Sequence, residues 1–171
     1  MKLDIEYIRK QFPAFDQKTL MGQAFFENAG GSYTCKPVID RLTRYYNERK
    51  VQPYAPYEAS TLAGNEMDEA RDRLASILGV ETDEVSFGPS TTQNTYVLAQ
   101  AFGQYLDAGD AIIVTNQDHE ANISPWRRLA EVGAIIKEWK INPKTAELET
   151  ETFEELLSNR TKIVAVTHCS N

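Results

Sequence analysis

The sequence predicts an α/β domain built on a largely parallel sheet, and three observations carry that expectation. Strand-like apolar runs and helix-period stretches alternate four times from Glu84 onward. The run Ala111-Ile112-Ile113-Val114 is continuously apolar, as a strand buried on both faces is. The residues with chemical potential sit just after strands: Ser90 to Thr92 after the first, Asp118-His119 after the second, His168 to Asn171 after the last. Open α/β sheets bind ligands at that end, so three polar strand ends converge on one crevice.

Taken in order, Asp4 caps a short helix whose Ile5, Ile8 and Phe12 share a face, and Pro13 ends it. Ala24-Phe25-Phe26 reads as a short strand running into Glu27-Asn28-Ala29-Gly30-Gly31-Ser32, a turn whose glycines open backbone conformations closed to other residues. Pro37 suits the first turn of a helix carrying Val38, Leu42, Tyr45 and Tyr46. Residues 51–57, with Pro53 and Pro56, form an extended aromatic loop. A longer helix then carries Met67, Ala70, Leu74, Ile77 and Leu78 on one side, with Gly79 placed to stop it. Glu84-Val85-Ser86-Phe87 reads as a strand broken by Gly88-Pro89, and Tyr96, Val97, Ala99 and Phe102 continue at helical rhythm. After the run at 111–114 come a helix over residues 125–132, a stop at Gly133 and a strand over 134–139. A helix over 152–157 and a strand over 162–167 follow. Each crossover is expected to be right-handed.

The 171 residues suffice for a real core, and 42% apolar with 25% charged is ordinary globular composition. A net charge of −7 argues against a nucleic-acid surface, which needs a basic footprint. Cys35 and Cys169 lie far apart without metal-ligand spacing, no apolar run reaches membrane-spanning length, and the first residues lack a signal-peptide core. The expectation is a cytoplasmic protein with no membrane partner.

Three hydroxyl residues, Ser90, Thr91 and Thr92, open a helix whose first N–H groups point outward at the positive end of its dipole. Such a start can bind a phosphate; taken alone, it can equally be an N-cap worth about 1 kcal/mol. His119 can stack on an aromatic cofactor ring, or can simply cap the next helix or pair with Glu120. His119, His168 and Cys169 include no short-spaced pair of zinc ligands. The chain has no Gly-x-Ser-x-Gly elbow, no Gly-x-Gly-x-x-Gly fingerprint and no Walker loop.

Four motifs in order are Phe26-Glu27-Asn28-Ala29-Gly30-Gly31-Ser32, Phe87-Gly88-Pro89-Ser90-Thr91-Thr92-Gln93-Asn94, Asp118-His119-Glu120-Ala121-Asn122 with Pro125-Trp126, and Thr167-His168-Cys169-Ser170-Asn171. Together they resemble the class V aminotransferases, closest to the cysteine desulfurase and selenocysteine lyase-like branch. The resemblance implies the fold type I transferase architecture, a mostly parallel sheet flanked by helices, here truncated. It implies pyridoxal 5′-phosphate as cofactor, a small amino acid as substrate and a homodimer. Residues 1–57 would supply a substrate-side turn and dimer contacts, and 58–171 the first part of the cofactor-binding domain.

By the same resemblance, Ser90, Thr91 and Thr92 hold the cofactor phosphate. His119 is the catalytic position, stacking on the pyridine ring with proton relay as a further role. Asn171 bonds the ring's phenolic oxygen, while Asn28, Ala29 and Gly30 lie on the substrate side. The family's cofactor-anchoring lysine and the acid facing the pyridine nitrogen both come later than the position of Asn171, so the chain reads as the N-terminal part of a longer enzyme, inactive alone. One departure stands out. Desulfurases carry a histidine in the loop before the long helix, where this chain has Tyr54-Ala55-Pro56-Tyr57. The competing expectations are a non-catalytic α/β module for a phosphate-bearing ligand and a fragment with no activity of its own.

Overall fold

The computed structural model describes residues 3–169, which divide between Ser86 and Phe87 into two compact units. In the first, helix α1 (Ile5–Lys10) starts where expected, because the Asp4 carboxylate accepts the Tyr7 N–H at 3.0 Å. Pro13 opens a 3-10 turn instead of prolonging the helix. The Phe25 and Phe15 rings pack on Tyr33 at 4.9 and 6.1 Å between centroids. The strand expected at residues 24–26 is absent. Among the described residues no strand pairs with that segment, and Phe26 is 91% exposed. Helix α2 (Lys36–Arg44) carries Pro37 in its first turn and runs on into a π-helical turn over Tyr45–Arg49. Helix α3 (Glu58–Leu78) ends at Gly79, whose φ of +70° is the left-handed stop a glycine supplies. The buried Ser60 hydroxyl ties the preceding loop to α3, accepting the Ala55 N–H at 2.7 Å and donating to the Gln52 carbonyl at 2.5 Å.

The expected strand over residues 84–87 is also absent. Thr82–Glu84 form a 3-10 turn whose Glu84 carboxylate accepts the Glu81 N–H at 2.8 Å; Val85 after it is extended, and residues 85–88 join no strand. A strand exists only with a ladder partner, and among the described residues none lies beside this one.

In the second unit, helix α4 (Thr91–Gly103) leads to strand β1 (Ala111–Thr115), buried at every position. Helix α5 (Glu120–Arg127) follows, continued by a 3-10 turn over Arg128–Val132. Strand β2 (Ile135–Trp139), helix α6 (Thr150–Leu156) and strand β3 (Thr161–Ala165) complete it. The sheet is parallel in the order β2-β1-β3, with Ile112 opposite both Ile136 and Ile163. The expected parallel α/β arrangement is therefore present, with three described strands in place of four.

Helix α5 starts five residues before the expected Pro125. Proline inside a helix removes one N–H and crowds the carbonyl four residues back, and α5 gives way to 3-10 geometry just beyond Pro125. Ile112 and Val114 face Ala99 of α4 and Ile123, Trp126 and Leu129 of the α5 region in one apolar core. No described helix is long and apolar enough to cross a membrane.

The turn into β2 rests on Gly133, at φ +98°, where an added Cβ would stand 3.1 Å from the Ala108 Cβ. Gly133→Ala is expected to cost about 1–2 kcal/mol, read as a lower urea midpoint with an unchanged slope.

Candidate functional site

The site is built from the N-terminal ends of two helices in the second unit. Ser90, extended at φ −168° and ψ 161°, caps α4: its Oγ accepts the Gln93 N–H at 3.2 Å and its carbonyl accepts the Asn94 N–H at 2.9 Å. The cap reading of Ser90 is thus realised. The N–H groups of Thr91 and Thr92 come before any intrahelical acceptor, so both project from the positive end of a 13-residue helix. The Asn94 carboxamide folds back onto the turn before the cap. A Cβ built on Gly88 would meet the carboxamide of Asn94, which would have to swing aside.

The second helix start lies beyond the carboxyl end of β1. Thr115, 1% exposed, accepts the Asp118 N–H on its Oγ1 at 3.2 Å. Asp118 Oδ1 accepts the His119 N–H at 2.7 Å, and Oδ2 accepts from the Asn122 carboxamide. His119 is the N-cap of α5, its Nδ1 accepting the Ala121 N–H at 3.0 Å. The Glu120 carboxylate is engaged by the Ser124 hydroxyl and lies 3.5 Å from Arg127.

Between these helices lies a cavity of about 620 Å³, within the size range of small-molecule sites. Thr92, Gln93 and Tyr96 line it from α4, and His119, Ala121, Pro125 and Arg128 line it from the α5 side. Thr92 and His119 therefore meet at one cavity, while Ser90 and Thr91 stand at the head of α4 without lining it. The lining suits a phosphorylated aromatic molecule: Thr92 at the head of α4 for the anion, an imidazole and a tyrosine for the ring. No lysine lines this cavity.

Asn28, Ala29 and Gly30 form a turn in the first unit, where the Gly30 N–H reaches the Glu27 carbonyl at 3.2 Å and Ser32 Oγ lies 3.3 Å from Asn28 Oδ1. Gly30 borders a cleft of about 410 Å³ with Phe25, Glu27, Gly31, Ser32 and Tyr33. Asn171 lies outside the described residues. No group of three or more His, Cys, Asp or Glu side chains among the described residues could hold a metal, and both cysteines are free.

Sequence reasoning missed Asp118 as the residue that frames His119, and Tyr96 and Arg128 as cavity walls. Their spacing was the available signal. Thr92 and Tyr96 lie four apart on α4, and Ala121, Pro125 and Arg128 lie four and three apart along α5 and its continuation, so each set shares a face.

The family model described as Aminotransferase class-V matches residues 24–171. The chain is 40% identical to the aminotransferase-like protein FGM3 of Gibberella zeae, over 98% of this chain and 42% of that protein. It is 36% identical to a probable cysteine desulfurase of Mycolicibacterium paratuberculosis, over 98% of this chain and 25% of that protein. The apo structure of the cysteine desulfurase of Thermococcus onnurineus NA1 superposes on all of this chain and 41% of its own, with a TM-score of 0.87 and 26% identity. The chain thus spans between a quarter and two-fifths or so of the length of these proteins.

Proposed function

The chain belongs to the aminotransferase class-V family, and from that premise we propose that it forms the N-terminal part of a pyridoxal 5′-phosphate enzyme acting on a small amino acid. Within the family the reading is cysteine desulfurase or selenocysteine lyase-like. Proteins of this family depend on pyridoxal phosphate. One observation carries the reading for this chain: Thr92 at the head of α4 and His119 at the head of α5 line the same cavity beside the carboxyl end of β1.

Bound there, pyridoxal phosphate would supply an electron sink for reaction at the amino acid's α-carbon. Thr91 and Thr92 would hold its phosphate through backbone N–H and hydroxyl donors, with Ser90 keeping the helix start in shape. The His119 imidazole would lie against the ring and fix its plane. Asn171 would donate to the phenolic oxygen, and the turn at Asn28, Ala29 and Gly30 would face the substrate. The cofactor-anchoring lysine and the acid opposite the pyridine nitrogen would come from the remainder of a longer protein, leaving residues 1–171 inactive alone. That protein would be a cytoplasmic homodimer.

Full-length protein incubated with pyridoxal phosphate is expected to gain visible absorbance, and borohydride reduction should leave the cofactor attached to one lysine. A colourless protein without cofactor by mass spectrometry would overturn the proposal. Reversible binding with nothing trapped by borohydride would instead favour a second reading, a module that holds a phosphate-bearing ligand without covalent chemistry.

A further inference from the structure

We propose that residues 52–56, in the first unit, are a latch with two positions, closed on α3 as seen here and swung off it. Tyr54 is the catch of this latch and Gly64 its seat. Two features that each cost stability alone meet at this place. Tyr54 holds φ at +65°, in the left-handed region that a residue with a Cβ resists. Gly64 stands inside α3, where glycine is a poor helix former. Each accounts for the other. A Cβ built on Gly64 would fall 2.7 Å from Cδ1 and 2.8 Å from Cε1 of Tyr54, so the ring occupies the place a side chain would take. Backbone strain of this kind persists only where the surroundings fix it.

Two further contacts hold the closed position. The Tyr54 hydroxyl donates to Asp68 Oδ1 at 2.8 Å, one turn beyond Gly64 on the same face of α3. The Ser60 hydroxyl accepts the Ala55 N–H and donates to the Gln52 carbonyl. The ends of the loop stay pinned in either position: Arg49 lies 3.5 Å from Glu66, and the Tyr57 carbonyl accepts the Thr61 N–H at 3.0 Å. Opening strands few groups. Asp68 keeps Arg71 at 3.3 Å, the Ser60 hydroxyl and the freed loop backbone meet water, and Tyr54 returns to negative φ. Tyr54 is 58% exposed even when closed, so opening uncovers little apolar surface. The loop therefore opens by itself, ahead of any unfolding of α3.

Hydrogen exchange on the full-length protein, resolved to single amides, tests the latch without reference to any cofactor. The reporter is Ala55, whose N–H is held by Ser60 in the closed position. In the parent its amide is expected to exchange faster than the amides of α3 beyond Asp68, because the loop opens alone. Gly64→Ala should speed Ala55 exchange about tenfold, since the added methyl group unseats the ring. The α3 amides beyond Asp68 should then exchange no faster than in the parent, because alanine favours the helix. Tyr54→Phe leaves the ring on its seat and removes only the bond to Asp68, so its Ala55 exchange should lie between the two. Ala55 and α3 exchanging together in the parent would overturn the two positions. Unchanged Ala55 exchange in Gly64→Ala would overturn the roles of catch and seat. Faster exchange throughout α3 in Gly64→Ala would make the pair a packing contact of the whole unit, and the latch would fail.

Discussion

Trp126→Ala is expected to be the most damaging single substitution in the second unit, costing about 3–5 kcal/mol. Trp126 is 6% exposed and joins Ile112, Val114, Leu129 and Ala165 in the core, its ring 6.2 Å from that of Phe102 on α4. Removing it opens a void where α4, α5 and the sheet meet, under the two helix starts that form the candidate site. A loss of that size is a large part of the roughly 5–15 kcal/mol by which a domain is stable. Cofactor affinity should fall with the fold.

Trp126→Phe separates the causes. The indole Nε1 is buried without a hydrogen-bond partner, and an unpaired buried donor costs about 1–3 kcal/mol. Phenylalanine keeps most of the packing and deletes that donor, so its denaturation midpoint should lie close to the parent's. If Trp126→Phe loses as much as Trp126→Ala, the indole nitrogen has a partner and the packing account fails.

Where the sequence was legible, one local cause dominated. The Ser90 cap, the apolar run of β1 and the stop at Gly133 are each settled by a residue and its immediate neighbours. The two strands that did not form, at residues 24–26 and 84–87, show the limit. Alternation of Val85 and Phe87 tells of extended backbone, but a strand also needs a neighbour, and that information lies elsewhere in the chain. The start of α5 was obscured differently. Pro125 looked like the first turn, but the cap that His119 offered as one of its readings is realised, its Nδ1 accepting the Ala121 N–H so that the helix starts at Glu120. Thr92 and His119 were legible as candidates from their places after strands. Their meeting at one cavity was not, because it depends on how α4 packs along α5. Asp118 was legible as the first residue of a motif, but not its contacts, which run to the N–H groups of His119 and Asn122.

Thr92→Ala in the full-length protein is expected to weaken retention of pyridoxal phosphate about tenfold or more. A hydroxyl donor to a charged phosphate is worth about 1.5–3 kcal/mol, and each ~1.4 kcal/mol is a factor of ten in affinity. Alanine keeps the backbone N–H groups and the dipole of α4, so binding should weaken without vanishing, and Thr92→Ser should restore most of it. Pyridoxal without its phosphate is the control: its affinity should be the same in parent and variant, because the hydroxyl then has no anion to meet. His119→Ala should behave differently. The imidazole lies across the cavity from Thr92 and touches no phosphate in this reading, so its loss should lower turnover per bound cofactor more than occupancy. Dialysis against buffer followed by absorbance and single-turnover measurements reads both quantities. Equal loss of cofactor in the two variants, with unchanged turnover per bound cofactor, would mean that Thr92 and His119 do not divide phosphate and ring between them.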